Sequence, residues 1–191
     1  MSTPHTVLHT TPSATVGPYW AIGLTWKDGP YAVDPGAEGA IWIRGRVFDG
    51  AGNPLAVGLV ETWQADPDGR FDHPDDPRGQ SATPGFRGFA RSSLVDAGEF
   101  AVCTLKPGRV PDGRGGLQAP HIDVSLFSQG LLDRLVTRIY FADEPAANAE
   151  DVVLRDVAED RRRTLLAERT DDGYRFDVYL QGDRETVFFA L

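Results

Sequence analysis

A single cysteine, Cys103, stands in 191 residues. That excludes an internal disulfide framework and any Cys-rich zinc or iron–sulfur site. Positive charge is scarce as well: 19 Lys and Arg against 28 Asp and Glu leave a formal charge of -9. A nucleic-acid surface draws its affinity from neutralising phosphates, so no nucleic-acid partner is expected, although one local arginine suffices for a small anion. No apolar run approaches the length that spans a bilayer. The first residues, MSTPHTVLHTTPSATVGPYW, form neither a basic nor an apolar leader region. The expectation is a cytoplasmic chain with no membrane partner. Internal repeats and low-complexity tracts are also missing.

What is present is punctuation. Gly (21 residues) and Pro (14 residues) separate short apolar runs, the pattern of an all-β chain with many turns. The length suits one domain. Strands are expected at IWIRGRVF (41–48), LVETWQA (59–65), EFAVCTL (99–105), HIDVSLF (121–127), LVTRIYFA (135–142), YRFDVYL (174–180) and ETVFFAL (185–191). Several short strands bounded by turn signals predict a β-sandwich. DRRRTLLAE, within 151–170, predicts one short surface helix; its arginines are flanked by Asp156, Glu159, Asp160 and Glu168, which marks a solvated face rather than a binding patch. Residues 1–39 and 66–98 are expected as long loops, of the kind that serve binding or assembly. The chain thus divides into an N-terminal arm, 1–39, contributing to a partner interface, and a sandwich core, 40–191.

The chemistry concentrates in HIDVSLF. On a strand His121 and Asp123 face the same way. Three readings are open from the residues alone: two satisfied polar groups, part of a metal site, or a His–Asp pair orienting a nucleophile. The last lacks a nucleophile elbow, and Cys103 on its alternating strand reads as a small buried residue. A metal site would recruit His73 from the loop FDHPDDPRG, giving a two-His-one-carboxylate set of His73, His121 and Asp123.

ETWQADPDGRF (61–71), LKPG (105–108), APHIDVSLF (119–127), TRIYF (137–141) and YRFDVYLQGDRETVFF (174–189) occur in the order seen in the intradiol aromatic-ring dioxygenases, which the chain resembles from about Thr11 to Leu191. The resemblance is to the α-type chains of heteromeric members. It implies an intradiol-type β-sandwich and O2-dependent opening of protocatechuate between its hydroxyl-bearing carbons, to 3-carboxy-cis,cis-muconate. Iron-bearing chains of that family hold Fe(III) with two tyrosinates and two histidines, anionic phenolate oxygen being suited to a hard cation. The first tyrosine belongs in a Gly-Arg-Tyr turn, which here reads Gly69, Arg70, Phe71. The second belongs in Pro-Tyr-Pro, replaced by Arg109, Val110, Pro111, and the His-x-His strand retains only His121, with Asp123 as its second member. Phe71 and Val110 carry no lone pair. No metal ligand and no catalytic residue is therefore expected on this chain, and Phe71, Val110, His121 and Asp123 mark a degenerate ligand set.

By the same resemblance the cofactor, Fe(III), belongs to a partner β subunit of the same fold, in a higher-order αβ oligomer. The N-terminal Thr-x-Gly-Pro-Tyr, here Thr15, Gly17, Pro18 and Tyr19, is expected to complete the partner's substrate site. Gln129 stands where α-type chains can carry an arginine near the substrate; it can donate hydrogen bonds but supplies no charge. Trp20, Trp26, Phe188 and Phe189 are candidate interface anchors or residues of the chain's own core. Two rivals follow from other readings: a binding or carrier β-sandwich module, and an independent dioxygenase built on His73, His121 and Asp123.

Overall fold

The computed structural model describes residues 17, 19–94 and 98–190; the expectations placed on Thr15 and Pro18 lie outside them. Eleven strands follow one another among the described residues: β1 (Ala40–Phe48), β2 (Gly58–Trp63), β3 (Phe89–Ser93), β4 (Glu99–Leu105), β5 (Val110–Pro111), β6 (Leu117–Gln118), β7 (His121–Ser128), β8 (Leu135–Phe141), β9 (Leu166–Thr170), β10 (Gly173–Arg175) and β11 (Val178–Tyr179). A short helix α1 (Trp20–Gly23) precedes β1; α2 (Pro145–Glu150), α3 (Val152–Asp156) and α4 (Glu159–Arg162) lie between β8 and β9, and α4 runs into a 3-10 turn, Arg163–Leu165.

Hydrogen bonding links the strands in the order β11-β1-β10-β9-β8-β7-β2-β3, with β4 paired to β1 and a separate β5–β6 hairpin. β3 and β4 meet where the Ala101 amide donates to the Ser92 hydroxyl at 3.1 Å, so the sandwich curls almost to closure. Alternation along the strands fills its interior. Ile122, Val124 and Leu126 of β7 are buried together with Ile43, Val60, Ile139 and Phe141, while Asp123, Ser125 and Phe127 face the other way. Residues 30–33 of the N-terminal segment lie along this chain's own β4: Cys103 donates to Pro30 and Ala32 donates back to Cys103.

The predicted surface helix appears as α4 and its 3-10 turn, but Leu166–Thr170, the end of the helical-looking stretch, is strand β9, parallel to β8. YRFDVYL is two strands, because after Arg175 the chain leaves β1 and returns: Phe176 donates to Arg44, the Arg46 amide donates to the Asp177 carboxylate, and β11 resumes the ladder. ETVFFAL is not a ladder strand among the described residues. Thr186 and Phe189 donate single bonds to Tyr179 and Val136, and Phe188 packs against the main core. The stretch 66–98, expected as a loop, contains strand β3.

Candidate functional site

The cleft forms on the outward face of β2, β7 and β8, where register sets the neighbours. Trp63 pairs with Asp123, Asp123 with Arg138, and His121 with Tyr140. Strand parity therefore puts His121 and Asp123 on the side opposite the Ile122 and Val124 of the core, as their spacing predicts. Two loops roof this row. In WQADPDGRF the Asp66 carboxylate accepts from the amides of Asp68 (3.0 Å) and Arg70 (2.8 Å), closing a tight turn. Gly69 in that turn has φ +77°, and a Cβ there would lie 2.1 Å from the Arg109 carbonyl oxygen. Only glycine combines that backbone with so close an approach. The contact brings Phe71 of one loop beside Val110 of the other.

The result is a cleft of about 630 Å³ whose walls include Phe71, Val110, His121 and Asp123, with His73 and Arg138. All four degenerate ligand positions converge there, but they do not make a metal site. Phe71 stacks on Trp63, ring centroids 5.8 Å apart. Val110 is buried hydrocarbon. Asp123 accepts from the Arg138 Nε at 2.8 Å, and Arg138 also donates to the Gln118 side chain at 2.7 Å. His121 is buried, its Nδ1 2.8 Å from the Ala119 carbonyl, so Nδ1 carries the proton. Burial, and then the Arg138 charge, push the imidazole below its ordinary pKa against the opposing pull of Asp123. A ferric ion needs a set of anionic and imidazole donors; this set offers two aprotic hydrocarbon groups, a carboxylate committed to a guanidinium and one neutral imidazole. The residues do not fit iron. Nor does the alternative set of His73, His121 and Asp123 stand: among the described residues no three His, Cys, Asp or Glu side chains are placed to hold a metal ion.

Sequence reasoning missed how firmly the site is closed from behind. Asp151, fully buried, accepts from the Ala119 amide at 2.7 Å, from the Tyr140 hydroxyl at 3.2 Å, and from the Val153 and Leu154 amides that begin α3. Burial pushes the Tyr140 phenol well above its usual range, so it remains a hydrogen-bond donor. On the loop side the Arg78 guanidinium holds the Asp76 carboxyl far below the usual carboxylate range, and Asp76 in turn accepts from the Phe71 amide at 2.9 Å.

Comparison with known proteins gives this cleft its context. A dioxygenase family model matches residues 17–182. The α chain of protocatechuate 3,4-dioxygenase from Burkholderia cepacia is 43% identical, over 97% of this chain and 100% of its own length; that from Pseudomonas putida is 39% identical, over 97% and 98%. The chain belongs to the intradiol dioxygenase family. The B. cepacia β chain of the same enzyme is 34% identical, over 74% of this chain and 64% of its own. Among solved structures, the dioxygenase domain of a carbohydrate-binding fusion from Streptomyces sp. SirexAA-E superposes with a TM-score of 0.58 at 25% identity, covering 94% of this chain and all of that one. Catechol 1,2-dioxygenase from Pseudomonas arvilla C-1 gives 0.60 at 23% identity, over 80% and 55%, which shows the shared fold.

Of the other site expectations for this intradiol chain, those on described residues, Gly17, Tyr19 and Gln129, do not line the cleft. Tyr19, 78% exposed, stands just before α1, and Gly17 has the left-handed φ of +68° that suits glycine. Gln129 is exposed in the turn that ends β7, roughly 25 Å along the strand from His121. Of the candidate anchors, Trp20 is buried and Phe188 and Phe189 pack in the chain's own core. Trp26 remains 43% exposed, stacked beside Phe89. No helix of the described residues is long and apolar enough to cross a membrane.

Proposed function

We propose that this chain is the iron-free α subunit of a heteromeric protocatechuate 3,4-dioxygenase and acts through an Fe(III)-bearing β subunit of the same fold. The observation that carries the reading is the convergence of Phe71, Val110, His121 and Asp123 on one cleft with their donor chemistry removed or committed. The full-length match to two α chains supports it from the sequence side. Protocatechuate and O2 are consumed at the partner's site, where ferric iron supplies the ring-opening chemistry.

The contribution of this chain is assembly and pocket completion. Its N-terminal arm, through Thr15, Gly17, Pro18 and Tyr19, lies against the partner's substrate pocket, with Gln129 as a second, uncharged contact. Tyr19 suits that work: an exposed phenol offers a flat apolar wall and one hydrogen-bonding tip. No observation favours a free-standing carrier module. The test is co-expression with a candidate β chain, followed by co-purification and oxygen uptake on protocatechuate. The expected result is a stable complex with activity that neither polypeptide shows alone; ring cleavage by this chain without a second polypeptide overturns the proposal.

A further inference from the structure

The arginine-rich helical stretch and the final apolar run, neither of which lines the cleft, meet elsewhere on the molecule. Val187 and Phe189 pack against the small cluster of Tyr140, Leu154 and Leu165, whereas Phe188 between them turns to the main core. The segment is pinned on both sides. The Val187 amide donates to the Thr164 hydroxyl at 3.2 Å, its carbonyl accepts from the Thr137 hydroxyl at 2.7 Å, and Phe189 donates to Val136 at 2.8 Å. Together with α3, α4 and the residues between them it lines a groove of about 430 Å³, within the span of small-molecule sites, roughly 300 to 1,000 Å³. Val153, Val157, Val187 and Phe189 form its apolar wall, and its charged residues are Arg161 and Asp156.

Arg161 is incompletely compensated. The sequence sets its arginine triplet among carboxylates, yet within the described residues these side chains bond carbonyl groups instead: Arg162 donates to Val157 at 2.9 Å and to Arg155 at 3.1 Å, and Arg161 gives Nη2 to Glu185 at 2.7 Å. The Arg161 Nε is buried with no hydrogen-bond partner, and its Nη1 donates to nothing among the described residues. A half-buried cation beside hydrocarbon, with one neutral acceptor, lacks a counter-charge. A carboxylate accepting from Nη1 supplies it, and the four apolar side chains cover what that carboxylate carries. Asp156, exposed at the end of α3, sets the limit: a second negative charge on the ligand would meet it.

We propose that the groove between α3–α4 and the C-terminal segment binds a small aliphatic monocarboxylate, its charge on Arg161 and its hydrocarbon on Val153, Val157, Val187 and Phe189. The inference is independent of the proposed function, since none of these residues lines the cleft. Calorimetric titration of the co-purified complex with hexanoate tests it, comparing the wild type with Arg161→Met. Ala158→Trp, at an exposed position in the groove, is a second block should loss of the Glu185 contact impair folding. The expected result is saturable hexanoate binding to the wild type, weakened about tenfold or more in either variant. Hexanol, which keeps the hydrocarbon without the charge, and hexanedioate, which adds a second charge, are expected to bind more weakly than hexanoate. Asp156→Asn is expected to narrow the gap between hexanedioate and hexanoate. Absence of saturable binding overturns the proposal, as does equal hexanoate affinity in the wild type and a folded blocked variant, or hexanol binding as tight as hexanoate. If no complex co-purifies, the proposed function falls, while the same titration of the full chain alone still decides this site.

Discussion

The cleft and the N-terminal edge of this chain handle polar and aromatic groups in opposite ways. In the cleft, Asp123 is held by Arg138, His121 by Ala119, Phe71 by Trp63 and the whole floor by Asp151. At the edge, Tyr19 is 78% exposed and Leu24 and Trp26 more than 40%. A side chain already satisfied inside its own fold contributes stability, whereas an exposed large aromatic contributes little until something covers it. The difference teaches that the positions of lost metal donors can be held as structure by partners inside the fold, while the large side chains left uncovered lie at the periphery.

Substitutions sharpen or break that contrast. The largest effect is expected at Asp151→Ala, which strands the Ala119 amide and the Tyr140 hydroxyl and uncaps α3; chemical denaturation is expected to show a loss of about 3 to 4 kcal/mol. Arg138→Met leaves the Asp123 carboxylate unpaired. Its expected cost is about 2 kcal/mol by the same measurement, short of that at a fully buried pair because the Asp123 side chain remains 36% exposed.

A smaller effect depends on pH. The folded-state pKa of His121 lies below its ordinary value of 6.5, so the unfolded chain takes up a proton more readily. Its stabilising contribution is present above that value and is lost as pH falls toward the folded pKa. The thermal midpoint of the wild type is therefore expected to fall more steeply than that of His121→Gln between about pH 7 and pH 5. Parallel slopes would remove His121 from the account. At the edge, Tyr19→Ala is expected to change stability by less than about 0.5 kcal/mol. The assembled enzyme should nevertheless lose turnover or substrate affinity with its iron content unchanged, and unaltered kinetics would break the contrast from the other side.

Much of the sandwich is legible in the sequence because half-buried strands announce themselves by alternation: EFAVCTL is β4 from end to end, and HIDVSLF is β7 less its last residue. ETVFFAL misleads for the same reason. Apolar residues report burial, and Val187, Phe188 and Phe189 are packed against core clusters without joining a ladder. β3 is hidden because FARSS carries few apolar residues and closes the sandwich beside a polar loop. Within the site, period-two spacing places His121 and Asp123 on one face, and the replaced tyrosines are visible as Phe71 and Val110. Arg138 is not visible as the partner of Asp123, because that pairing depends on where the β7–β8 turn falls; a symmetric hairpin closing between Ser128 and Leu135 is the signal that leads to it. Asp151 depends on packing between elements far apart in the fold, and no local pattern reports it.

Iron content measures the central claim most directly. Elemental analysis of the purified complex, and of this chain separated from it and refolded with ferric iron, should give one iron per αβ pair and none on the isolated chain. Stoichiometric iron retained by the isolated chain would contradict the account.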